Sequence, residues 1–148
     1  MPLPTREDFG GGPDAESAWE DFGGKTVDEV YDLFCPDFHL EHFMWMGEIA
    51  FKFYFPVIAR WVHGLRPVEE DDFRPSVDLL GHCIQMHFDC HEDMTGMHDR
   101  IISLCDHVCA RLDHYTHDEN ERDEIRATWT DLRRQVADDA IGIRRPRL

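Results

Sequence analysis

Phe38-His39-Leu40-Glu41-His42-Phe43-Met44-Trp45-Met46-Gly47-Glu48-Ile49-Ala50-Phe51-Lys52-Phe53-Tyr54-Phe55-Pro56-Val57-Ile58-Ala59-Arg60-Trp61-Val62-His63 is the most apolar stretch of the chain. Its apolar side chains fall on nearly every helical face, which predicts a central, buried segment. The pattern does not alternate with period two, so a strand is not expected. Gly47 and Pro56 punctuate it. Proline suits the first turn of a helix and not its interior. The expectation is two short helices, 47–55 and 56–63, with one helix kinked at Pro56 as the alternative.

Reading back toward the N-terminus, Thr26 followed by Glu29 is a capping-box pattern, in which each side chain satisfies an orphan backbone amide. Val27, Val30, Tyr31 and Phe34 then recur at helical spacing, and Cys35-Pro36 stops the run because the residue before proline avoids helical geometry. Gly23-Gly24-Lys25-Thr26 looks like the end of a phosphate-binding loop, but that pattern needs glycine where Trp19 stands, so a turn into a capped helix is expected. Pro2, Pro4, Pro13 and Gly10-Gly11-Gly12 predict a flexible leader over residues 1–16, with order beginning near Trp19.

Toward the C-terminus, residues 64–75 read as a loop, and Ser76 as an N-cap with Asp78 in the first helical turn. Val77, Leu80, Ile84, Phe88 and His91 form one helical stripe. Ile101, Cys105, Val108, Leu112 and Tyr115 form a second, and Ile125, Trp129, Leu132 and Val136 a third. The fold expected is all-α: a compact bundle of four to five helices around the aromatic segment. It forms one domain over residues 17–140, followed by a basic tail over 141–148.

Net charge bounds the function. The 148 residues carry 31 acidic and 15 basic side chains, a formal charge of −16. Such a field repels DNA, RNA and anionic lipid, so neither nucleic acid nor membrane is an expected partner. A basic protein is. The acidic run Glu69, Glu70, Asp71, Asp72 is the candidate partner-binding surface, and Asp118, Glu119, Glu121, Asp123 and Glu124 form a second patch. No stretch approaches the roughly 20 apolar residues of a membrane helix. Five cysteines and no secretion signal point to reduced thiols and a cytoplasmic setting.

Residues 82–117 hold seven of the ten histidines and four of the five cysteines. Imidazole and thiolate are ligands for zinc or copper. His87 and His91 stand one helical turn apart, and a turn at Thr95-Gly96 would bring His98 back toward them. His87, Cys90, His91 and His98 are therefore the candidate metal ligands. No Cys-x-x-Cys pair or His-Glu-x-x-His motif supports them, and ordinary hydrogen bonding beside a core stripe is the preferred reading. Cys83 with His87, and Cys105 with Cys109, can be drawn as reactive pairs, but a reactive thiol needs a cation or helix N-terminus to lower its pKa. No serine lies in a Gly-x-Ser-x-Gly elbow, and no catalytic residue is assigned.

The segment Ala50-Phe51-Lys52-Phe53-Tyr54-Phe55-Pro56 is similar to an Ala-Phe-x-Phe/Tyr-Tyr/Phe-x-Pro motif in small bacterial proteins described as domains of unknown function. Trp19-Glu20-Asp21-Phe22-Gly23-Gly24-Lys25-Thr26 shares the likeness, which covers residues 19–63. It implies a short helical domain and carries no catalytic residue. Small acidic cytosolic proteins of this sort resemble immunity proteins that neutralise toxins, an analogy of type and not of motif. Three readings follow: a non-enzymatic acidic binding protein of immunity type, a zinc- or copper-binding helical protein using residues 82–117, and a self-associating helical module.

Overall fold

The computed structural model describes residues 2–69 and 74–146. Their regular structure is helical, with no strand among them. The helices are α1 (Pro13–Phe22), α2 (Val27–Leu33), α3 (Pro36–Trp45), α4 (Glu48–His63), α5 (Pro75–Asp89), α6 (His98–Cys109) and α7 (Glu119–Ala140), with 3-10 turns at Glu7–Phe9 and Leu112–His114. The described residues form seven α-helices in place of the four or five expected. Contacts divide the chain into two compact units, residues 1–63 and 64–148, each with its own buried side chains.

Local sequence starts most of these helices. Proline opens α1, α3 and α5, where its fixed φ is already helical and its missing N–H costs nothing. At α5 this displaces the expected cap. Arg74 stands at the N-cap without a side-chain bond and Ser76 lies inside the helix. The capping box forms as read: Thr26 Oγ1 accepts from the Glu29 amide at 3.2 Å, and Glu29 Oε1 from the Thr26 amide at 3.0 Å. Asp118 caps α7 by accepting from the Glu121 amide at 3.0 Å.

In the first unit α1 packs on α3 and α2 on α4, and the turn at Glu7–Phe9 packs on both α1 and α4. The expected leader is thus structured from Glu7 onward. Phe9 is fully buried, its ring 5.4 Å from Trp19 and 5.9 Å from Tyr54. Its carbonyl accepts from the Gly47 amide at 2.8 Å. A Cβ at Gly47 would sit 2.5 Å from the Asp8 carbonyl oxygen, so this close approach needs glycine.

The aromatic segment ends α3 and then forms α4, which runs through Pro56 as one helix instead of the two expected over 47–55 and 56–63. An interior proline costs about 3 kcal/mol. Fully burying each large apolar side chain returns about 1.5–3 kcal/mol, and Phe51, Tyr54, Phe55, Val57 and Ile58 are all buried on both sides of the proline. Burial therefore carries the helix through. Among the segment's aromatics, Phe38 and Trp45 of α3 are exposed, at 78% and 45%.

In the second unit α7 packs against α5 and α6. Val77, Leu80, Ile84 and Phe88 of α5, Ile101, Leu104, Cys105 and Val108 of α6, and Ile125, Trp129, Leu132 and Val136 of α7 are buried. Leu112 and Tyr115 extend the α6 stripe beyond the end of that helix.

Candidate functional site

The histidine-rich segment distributes its side chains rather than converging them. His87 is buried, with Nδ1 against the Glu92 carboxylate. Helix α5 ends at Asp89, so His91 falls beyond it, at φ 55°. That left-handed backbone is uncommon outside glycine. It turns the His91 ring toward the segment after α7, where Nε2 donates to the Arg145 carbonyl at 2.6 Å. His98 Nε2 lies 2.8 Å from Asp139 Oδ2, and Cys90 is exposed. The structure does not bring His87, Cys90, His91 and His98 to one point, because each imidazole is turned to a different oxygen. Among the described residues no group of three His, Cys, Asp or Glu side chains is placed to hold a metal ion.

Around these histidines lies a charged network that sequence reading missed. Asp139, its side chain only 7% exposed, accepts from His98 and from Arg144 Nε at 2.9 Å. Arg144 also donates to the His91 carbonyl at 2.8 Å. Arg145 grips Asp131 with both terminal nitrogens, at 2.7 and 3.1 Å, and Gln85 donates to the same carboxylate at 2.8 Å. The Arg145 guanidinium, helped by Gln85 and opposed by partial burial, holds the Asp131 carboxyl below its usual range. Arg144 and Arg145, read as part of a basic tail, are folded back onto the second unit. Arg147 lies outside the described residues.

Of the acidic surface, Glu69 is exposed, and Glu70, Asp71 and Asp72 lie outside the described residues. The second patch sits on the first turns of α7. Asp118, Glu119, Asp123 and Glu124 are exposed. Glu121 turns inward to accept from Thr116 Oγ1 at 2.5 Å.

A histidine pair in the first unit also escaped the sequence reading. His39 and His42 stand three apart on α3, with rings 5.6 Å apart. Asp21 at the end of α1 takes His42 Nε2 at 2.6 Å and faces His39 Nε2 at 3.9 Å. His39 Nδ1 accepts from the Cys35 amide at 2.8 Å, which leaves neutral His39 with its proton on Nε2. The spacing of the two histidines was visible in sequence; the Asp21 partner, 18 residues from His39, was not.

Burial, and secondarily His42, lowers the His39 pKa below its ordinary 6.5, while Asp21 opposes the shift. The unfolded chain then binds this proton more readily than the folded one. The contribution of His39 to stability is complete above 6.5 and is lost as pH falls below it. Protonation at Nδ1 also removes the acceptor of the Cys35 amide, at the start of α3. The urea midpoint of the first unit is expected to fall as pH drops below 6.5, and His39→Asn to flatten that fall. An unchanged slope in the variant would assign the titration to another group.

The cysteines are free thiols. Burial pushes Cys105 up to about 12, so it stays protonated at neutral pH and inert as a nucleophile. No helix among the described residues is long and apolar enough to cross a membrane. No family model matches the chain, and no curated protein or solved structure does either.

Proposed function

We propose that the protein is a non-enzymatic acidic binding protein whose partner is a basic protein, with an immunity-type inhibitor as its most concrete form. The supporting observation is the outer face of α7. Glu119 in the first turn complements the helix dipole, but Asp123 and Glu124 lie beyond that turn and are exposed. Glu119 and Asp123 are a like-charged i,i+4 pair, which weakens a helix by about 0.2–0.5 kcal/mol. Arg126 offsets Asp123 in an exposed ion pair of the kind that contributes little, and Arg122 donates to the His117 carbonyl instead. A net charge of −16 exceeds the magnitude of roughly 2–8 that keeps a small domain soluble. Charge retained at a cost in self-repulsion suits steering toward an oppositely charged partner.

Affinity capture from the native host tests this. A basic protein should be retained at low salt and released near about 0.5 M salt, where exposed charges are strongly screened. Its activity should be blocked in the complex. Substituting serine for Glu119, Asp123 and Glu124, or for the four acids at 69–72, should weaken retention. Capture indifferent to salt and to both sets of substitutions would refute the reading.

A further inference from the structure

We propose that residues 143–146 form an electrostatic latch, which ties the end of α7 to the turn after α5 and opens at raised salt. The segment leaves α7 at Gly142, which has φ 84°, and crosses to His91 and Glu92. Its apolar side chains do not anchor it: Ile141 is 73% exposed and Ile143 56%. Polar contacts hold it instead. Arg145 clamps Asp131, Arg144 binds Asp139 and the His91 carbonyl, and His91 Nε2 returns a bond to the Arg145 carbonyl.

The contacts run in both directions between the two segments, so the left-handed turn at His91 and the strap support each other. Without one, the other loses partners. Asp131 and both arginines are roughly two-fifths exposed, so salt weakens the Arg145–Asp131 clamp most, and the Arg144–Asp139 pair, whose carboxylate is only 7% exposed, less. Buried cores without such pairs are not weakened. Raised salt should therefore open the strap while α5–α7 stay folded.

Amide hydrogen exchange on the full chain reads this directly. The Ile143 amide donates to Asp138 O, and those of His91 and Glu92 donate to Phe88 O and His87 O. All three should exchange about tenfold faster in Arg144→Ser/Arg145→Ser, the scale expected when exposed charge pairs are lost. They should also speed up in the wild type when salt is raised, while the Trp129 and Leu132 amides keep their protection. Asp131→Asn, which keeps the shape and removes the charge, should act in the same direction more weakly. Faster exchange at Ile143 with His91 and Glu92 unmoved would show a fraying end rather than a latch. Exchange indifferent to salt would show that charge does not hold it. Loss of Trp129 protection in the double variant would show global destabilisation, and would overturn the proposal as well.

Discussion

Trp129→Ala is expected to destabilise the second unit by about 3–5 kcal/mol, the range for truncating a fully buried large aromatic. The ring is completely buried in α7, and its Nε1 donates to the Val77 carbonyl of α5 at 3.0 Å. It rests on a helical glycine. A Cβ at Gly81 would come within 3.2 Å of the ring and 2.7 Å of Thr128 Cγ2. Gly81 therefore costs α5 its helix propensity, about 1 kcal/mol against alanine, in exchange for closer contact between α5 and α7. Trp129→Phe keeps an aromatic body and loses the indole donor, so a loss of about 1 kcal/mol is expected. Gly81→Ala should destabilise by about 1–3 kcal/mol through overpacking. In the Trp129→Ala background part of that cost should vanish, because the cavity accepts the methyl group, giving a coupling above about 0.5 kcal/mol. Urea unfolding of the four-member cycle measures it. Additive losses would mean that the two residues do not share the contact.

The stripe containing Trp129 shows what periodicity can carry. Ile125, Trp129, Leu132 and Val136 were separable from their neighbours by spacing alone, and all four are buried. The α5 stripe holds from Val77 to Phe88 and fails at His91, where the helix has already ended. Periodicity marks a face, and the stop is set by hydrogen bonding that it does not register. Phe9 is a stronger failure. Proline and glycine on either side signal a loose leader, yet those residues make the turns that seat Phe9 against Trp19 and Tyr54. A lone aromatic has no period to detect.

The candidate site was less visible than the fold for a related reason. His87, His91 and His98 were grouped by nearness in sequence, but each finds its oxygen elsewhere: Glu92, the Arg145 carbonyl and Asp139. The last two partners lie 54 and 41 residues away. Spacing on a helix shows which side chains can share a face, and it does not identify a distant residue that reaches that face. The acidic character of the surface, by contrast, followed from composition, since charged side chains are rarely buried unpaired.

Tyr54→Ala is expected to cost the first unit about 3–5 kcal/mol, the aromatic truncation range. Tyr54 is fully buried in the middle of α4. Its ring meets Phe9, Phe22 and Phe53, with centroids at 5.9, 5.9 and 4.9 Å, so it joins α4 to α1 and to the turn at Glu7–Phe9. Its hydroxyl lies 3.0 Å from the Phe22 carbonyl oxygen and 2.7 Å from that of Lys25, bridging the chain just where α1 gives way to α2. Phe22 O also accepts from the Lys25 amide at 3.1 Å, so Tyr54→Phe chiefly strips a donor from Lys25 O. That variant should lose about 1–3 kcal/mol, with the aromatic packing intact. Burial, reinforced by Glu29, pushes the hydroxyl from its ordinary 10 up to about 12. The folded state therefore keeps this proton where the unfolded chain has released it. The contribution is complete below 10 and is lost as pH rises from there through 12. Urea midpoints measured from neutral to alkaline pH should fall less steeply above 10 in Tyr54→Phe than in the wild type. Equal slopes would assign the alkaline loss to another group, and a loss in Tyr54→Ala no larger than in Tyr54→Phe would show that the ring does not join α4 to α1.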